Sequence, residues 1–296
     1  MHPVVAHHLA NPGPAQKSPE WYALRTTCLS ASNVGQALGL SKYGKPEETM
    51  AKYLGFDKPM NPMGIEACAH GNDLEPEIRA WHERKLGENI HEFSLVKHPV
   101  HAWLGGSPDG ISEKSGVLCE YKAPLRRKLI QGFVPPHYLA QIQTLLEVFD
   151  LETAHYVEYV PPSVLNRRNV GGELAKEPEV NFVVIQRDRT WFAEVLPQLR
   201  IFWERVQLYR HHGPKLWLDE LVPASERNNA LALLLDKALE NVRALTKMAM
   251  REEAGEAPSK RKKRVKVEDE DAVIDPTIGS NDPTQAALSL LVGCPY

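Results

Sequence analysis

Apolar residues recur along the chain with two alternating periods, close to 3.6 in some stretches and 2 in others, and the switches outline helices and strands. Helical spacing predicts helices over residues 19–25, 32–38, 46–54 and 67–86, the last with an apolar stripe at Leu74, Ile78, Trp81 and Leu86. β-prone runs follow at 90–98, 103–107 and 117–122. A helix over 137–149 is predicted to bury Leu139, Ile142, Leu145 and Leu146. Residues 155–160 and 181–186 read as a strand pair, and 191–211 as a long amphipathic helix with Leu196, Leu199, Phe202, Trp203 and Val206 inward. The fold class this predicts is α/β, a central mixed sheet flanked by helices.

The pattern also divides the chain. Residues 1–17 read as a loose arm, 18–215 as the main domain and 216–250 as a helix-prone extension. Residues 251–296 lack core-forming periodicity and are expected to be largely disordered. This tail contains a basic block, Lys260-Arg261-Lys262-Lys263-Arg264-Val265-Lys266, followed by the acidic Glu268-Asp269-Glu270-Asp271 and an apolar stretch at 286–292. The basic block suits a flexible DNA-holding arm, with a nuclear localisation signal as the alternative. No basic-then-apolar leader opens the chain and no stretch is long enough to span a bilayer, so a soluble, cytoplasmic protein without membrane partners is expected.

Composition narrows the chemistry. A chain of 296 residues with 43% hydrophobic content can bury a substantial core, and its net charge of −3 gives no global nucleic-acid signature. Any DNA contact must come from local clusters, such as Arg126-Arg127-Lys128 and Arg167-Arg168, the latter expected in a loop. The cysteines at 28, 68, 119 and 294 show no zinc-ligand spacing and no disulfide framework, and Cys68 is expected to be buried on a helix.

The chemistry-bearing pattern is Ser107-Pro108-Asp109-Gly110 followed eleven residues later by Glu120-Tyr121-Lys122. On a strand, Glu120 and Lys122 share a face while Cys119 and Tyr121 take the other. With 103–107 and 117–122 as paired strands, Asp109 at the turn side of the first would lie beside Glu120. Two neighbouring carboxylates repel unless a hard cation joins them, which points to magnesium. Such an ion polarises a phosphoryl oxygen and lowers the pKa of a bound water, and Lys122 would orient that water or neutralise the phosphate. One ion or two could serve.

With the flanking Trp103-Leu104-Gly105-Gly106, Ala123-Pro124 and Tyr138-Leu139-Ala140-Gln141-Ile142-Gln143, this pattern resembles the YqaJ-type viral recombinase nucleases, a group that includes lambda exonuclease and phage alkaline exonucleases. The resemblance runs from about Ser18 to about Arg210. It implies a restriction-endonuclease-like core in which Asp109 and Glu120 bind metal, Lys122 is the catalytic lysine, Glu75 adds an acidic ligand from an earlier helix and Gln141 joins the site. It also implies that Arg25 and Ser32 hold the 5′-phosphate of a DNA end, with Ser107, Arg126 and Arg127 as further DNA-contact candidates. Family members degrade one strand of linear duplex DNA from the 5′ end with magnesium, for which manganese would substitute. The best-known ones are homotrimeric rings working with a single-strand annealing protein, and a bacterial host cytoplasm is the setting this implies. Iron–sulfur relatives of the same core need four clustered cysteines, which this chain lacks.

The residues themselves leave alternatives open. By spacing alone Glu66 would serve in place of Glu75, and either Ser30 or Ser32 would cap the helix over 32–38, aiming its N–H groups at a phosphate. Arg25 offers the bidentate geometry that phosphate favours. An endonuclease of the same fold and a catalytically silent DNA-binding scaffold are the competing functions.

Overall fold

The structure, a computed structural model, describes residues 1–56, 60–169, 172–222, 224–230 and single positions between 232 and 243. Residues 1–212 form one compact unit, and the chain from Gly213 belongs to a second. The first contains, in chain order, α1 (Pro3–Ala10), α2 (Pro19–Thr26), β1 (Leu29–Ser30), α3 (Ala31–Ala37), α4 (Pro46–Tyr53), α5 (Pro62–Leu86), β2 (Ile90–His91), β3 (Val96–Lys97), β4 (Leu104–Gly106), β5 (Gly110–Ser112), β6 (Leu118–Lys122), α6 (Pro136–Phe149), β7 (Thr153–Val160), α7 (Pro162–Arg168), β8 (Glu179–Gln186) and α8 (Arg189–His212). In the second unit α9 spans Pro214–Leu221, and the described positions between 227 and 243 are helical. The expectations for 251–296, including the basic and acidic blocks, lie outside the described residues.

The main sheet has the order β2-β5-β6-β7-β8. Only β6 and β7 in it run parallel, with Glu120 beside Tyr156 and Lys122 beside Glu158, while its other pairings are antiparallel. A parallel pair requires a crossover, and α6 supplies it. The period of two in β6 decides which residue meets which layer. Leu118 packs with Ile111, Ala154 and Tyr156 against Ile142, Leu145 and Leu146 of α6. Cys119 and Tyr121 pack with Val157 and Tyr159 against Ile78 of α5, with Leu74 and Trp81 alongside. Each fully buried Leu or Ile contributes about 1.5–3 kcal/mol. The mixed sheet between helices is the restriction-endonuclease-like fold that the chain's resemblance implies.

A second sheet, β1-β4-β3, lies against α6 and brings α3 with it. Two glycines permit this approach. A Cβ on Gly106 would stand 2.5 Å from Leu145 Cδ2, and one on Gly35 would stand 2.6 Å from the His137 backbone.

Several sequence-based expectations are corrected. Residues 1–17 are not a loose arm throughout, because α1 buries Val5 completely in the main core and is capped at its start by the His2 ring. The run 90–98 is broken into β2 and β3, which join different sheets, as Phe93 and Leu95 between them enter separate core clusters. Residues 103–107 do not pair with β6. Pro108 interrupts that run, β4 joins the small sheet, and the antiparallel partner of β6 is β5, where Gly110 pairs with Cys119. Leu139 and Cys68 are exposed, and Arg167 and Arg168 lie on α7 rather than in a loop. The inward residues Leu199, Phe202, Trp203 and Val206 of α8 are buried as the pattern predicts.

Candidate active site

The alternation of β6 delivers Glu120 and Lys122 to the face opposite Cys119 and Tyr121, and the next helix closes over them. Lys122 Nζ donates to Glu120 Oε1, and Gln141 Nε2 on α6 donates to the same oxygen at 2.6 Å. Glu120 is only 1% exposed, and its other oxygen, Oε2, is buried without a partner. The Lys122 ammonium also stands 4.8 Å above the Tyr138 ring, a favourable cation–π placement.

Asp109 reaches the same place from the turn between β4 and β5. Its Oδ2 accepts the Tyr121 backbone N–H at 2.7 Å, which locks the aspartate to the strand that carries Glu120. Burial first, and then the charge of Asp109, push the Glu120 carboxyl up to about 7. Burial also raises Asp109, against the pull of Lys122 and the Tyr121 N–H. Burial works against the Lys122 charge, yet Glu120 and Asp109 together hold its ammonium above the ordinary range.

Of the two α5 carboxylates that the sequence leaves open, Glu75 rather than Glu66 feels the charge of Asp109. Burial and then Asp109 raise its proton affinity. Glu66 instead pairs with Arg126 on the surface at 2.7 Å. Between Glu75 and Asp109 stands Arg79, missing from the sequence reading. Its Nη2 donates to Glu75 Oε1 at 2.9 Å and to the Asp109 backbone carbonyl at 3.2 Å, and it pairs with Glu92. The signal was present in the spacing, since Arg79 follows Glu75 by four residues on a helix.

Arg25 and Ser32 also come together. Arg25 Nη2 donates to Ser32 Oγ at 2.7 Å, and its guanidinium lies 4.9 Å from the Trp21 ring centre. Ser30 occupies the cap position of α3 without a side-chain cap bond, and its hydroxyl is 3.2 Å from that of Ser32. Of the remaining candidates, Ser107 Oγ donates to the Phe93 carbonyl at 2.9 Å and so fixes the turn before Asp109. Arg127 is committed to the buried Glu158.

The donor set suits a hard cation. Among the described residues, no group of three or more His, Cys, Asp or Glu side chains is assembled as a metal cage. Magnesium does not need one, because it ordinarily takes one or two carboxylates and completes its shell with water and substrate oxygens. A buried carboxylate oxygen with no partner, Glu120 Oε2, fits that requirement.

Residues 20–153 match the YqaJ-like viral recombinase domain. The chain is similar to that family over this stretch, a little under half of its length. The match spans α2 to the start of β7 and so takes in Arg25, Ser32, Glu75, Asp109, Glu120, Lys122 and Gln141. The chain is 26% identical over 159 residues to the uncharacterized protein R354 of Acanthamoeba polyphaga mimivirus, covering 48% of this chain and 29% of that protein. It is 28% identical over 163 residues to protein D345L of African swine fever virus, covering 44% of this chain and 45% of that one. The chain thus spans less than half the length of these curated relatives. In structure it is similar to the alkaline exonuclease LHK-Exo of Laribacter hongkongensis, with a TM-score of 0.51 and 24% identity over 64% of this chain and 93% of that one. The complex of LHK-Exo with dAMP gives a TM-score of 0.52 at 24% identity, over 66% and 98%. The likeness to these two structures shows the fold.

Proposed function

We propose that this chain is a magnesium-dependent 5′→3′ exonuclease that degrades one strand of linear double-stranded DNA to expose a 3′ single strand for annealing. The observation that carries the proposal is the pairing of Asp109 with Glu120 beside Lys122 and Gln141, one glutamate oxygen left without a partner. Asp109 and Glu120 would hold the ion, with Glu75 close by, and manganese would substitute. Bound there, it would polarise the phosphoryl oxygen and make water nucleophilic near neutral pH.

The protein's own groups do the rest. Gln141 and Lys122 hold Glu120 Oε1 and leave the buried Oε2 as the oxygen without a donor. Lys122, kept charged by its two carboxylate neighbours, neutralises charge that builds on the phosphate. Arg25 with Ser32 would hold the terminal 5′-phosphate, which makes a DNA end the substrate rather than an internal site. Arg126 lies on the exposed surface and suits contact with the DNA backbone. The same reading includes a homotrimer, testable by light scattering, a single-strand annealing protein as partner and action in a bacterial host cytoplasm.

The deciding experiment is digestion of a linear duplex, labelled separately at each end and with or without 5′-phosphate, in magnesium and in EDTA, beside a closed circle. Magnesium-dependent loss from phosphorylated 5′ ends with the circle intact is expected. Cutting of the circle would make the protein an endonuclease, and binding without cutting would make it a scaffold.

A further inference from the structure

Lys17 stands in an unusual backbone conformation at the edge of the carboxylate cluster, and three contacts put it there. Its φ is +64°, in the left-handed region that glycine occupies freely and a side chain enters only at a cost. The segment before it is strapped down: Gln16 Nε2 donates to the Phe93 carbonyl at 2.8 Å, and Ser94 Oγ donates to the Pro14 carbonyl at 2.5 Å. The Phe93 carbonyl is the one that also receives Ser107 Oγ, so the strap and the turn carrying Asp109 hang from one point. Lys17 Nζ then donates to Asn72 Oδ1 on α5 at 3.2 Å, three residues before Glu75. The ammonium lies near enough for its charge to favour ionisation of both Glu75 and Asp109, and the residue is exposed to solvent.

A solvent-facing cation held by a strained backbone beside acidic groups does little for the fold that glycine would not do better. Its position is useful where a polyanion must come close to carboxylates that repel it. We propose that Lys17 is a DNA-contact residue that binds a backbone phosphate of the strand entering the Asp109–Glu120 site, at the end of α2 opposite Arg25. The inference rests on the nuclease reading of that site. α2 begins two residues after Lys17 and carries Arg25 near its far end, so one short helix would present two cations along the nucleic-acid backbone.

The test separates a ligand contact from a structural one by their opposite signs. Binding of a 5′-phosphorylated linear duplex to the full chain is measured by fluorescence anisotropy in EDTA across a series of salt concentrations, beside thermal melting. Lys17→Gly is expected to melt higher, because the strain is gone, yet to bind DNA more weakly, with the slope of log affinity against log salt reduced in magnitude by about one. Lys17→Gln should lose the same slope without the gain in melting temperature, and Lys17→Arg should keep the slope. An unchanged salt slope in Lys17→Gly, with wild-type protein binding the duplex normally, overturns the proposal and leaves the nuclease reading standing. Wild-type protein that binds the duplex neither in EDTA nor with calcium added overturns both.

Discussion

Two glutamates, each 1% exposed, stand on neighbouring parallel strands of the main sheet and use their oxygens in opposite ways. Glu158 on β7 is closed. Its Oε1 receives Arg127 and the Tyr156 hydroxyl, the latter at 2.5 Å, and its Oε2 receives Asn181 Nδ2 at 3.0 Å. Glu120 on β6 is left open, with both donors, Lys122 and Gln141, on Oε1 and none on Oε2. A buried carboxylate without full pairing costs free energy, so the open one is a feature to be explained, whereas the closed one is a cross-link between β7, β8 and the segment after β6. The sheet provides two equally dry places for a carboxylate, and pairing closes one and leaves the other with an oxygen free to accept.

The comparison breaks most visibly in activity. Asp109→Ala, Glu120→Ala and Lys122→Ala should each lower single-turnover DNA cleavage by about a thousandfold or more, as expected when a few kcal/mol of transition-state stabilisation is removed. Folding, read by circular dichroism, should survive in all three. Full activity in any one of them would remove that residue from the site.

Glu158→Ala should act the other way round. Removing one partner of a buried, hydrogen-bonded ion pair costs about 3–5 kcal/mol, so urea denaturation should show a loss of that order. The magnesium response of the folded fraction should persist. If Glu158→Ala abolished that response while leaving stability intact, the two glutamates would have to exchange roles.

Metal and pH sharpen the contrast. An ion that binds only the folded state raises stability by about 2.7 kcal/mol at one hundred times its dissociation constant, and the melting temperature should rise on adding magnesium to wild type but not to Glu120→Gln. With its carboxyl pushed up to about 7 by burial and by Asp109, Glu120 gains protons as the pH falls from 8 to 6. Ion and proton compete for it, so the magnesium-induced shift should be smaller at pH 6 and larger at pH 8. A shift that is flat across this range would count against competition between ion and proton at Glu120, and a shift retained in Glu120→Gln would show that Glu120 is not a ligand.

How far the residues announced this arrangement depends on the range of the contact. Period-two alternation placed Glu120 and Lys122 on one face and Cys119 and Tyr121 on the other, because a strand's geometry is local. The helix at α6 follows from spacing in the same way, whereas the place of Gln141 came from the resemblance, since the spacing alone put Leu139 inward and Leu139 is exposed. Strand pairing was less legible. The longer run at 103–107 was the natural partner for β6, yet the three-residue β5 beyond Pro108 took that place. The burial of α1 and the Arg127–Glu158 pair, 31 residues apart, depend on which distant surface covers them, and no local pattern encodes that. Arg79 was legible in principle, as the i+4 neighbour of Glu75, but its contact with Asp109 spans 30 residues.

The smallest expected effect concerns the choice of DNA end. Arg25 already has partners in the free protein, donating to Ser32 at 2.7 Å and lying over Trp21, so its guanidinium is pre-positioned and little ordering is needed when a phosphate arrives. A charge-assisted hydrogen bond to phosphate is worth about 1.5–3 kcal/mol, which corresponds to roughly ten- to one-hundred-fold in preference. Arg25→Ala should therefore narrow the ratio of rates on 5′-phosphorylated and 5′-hydroxyl ends by about tenfold, with the rate on hydroxyl ends nearly unchanged. Arg25→Lys should recover only part of the ratio, because an ammonium lacks the paired donors. Equal losses on both ends would assign Arg25 to general DNA binding. That outcome would leave Asp109, Glu120 and Lys122 in place and take away the feature that makes the site one for DNA termini.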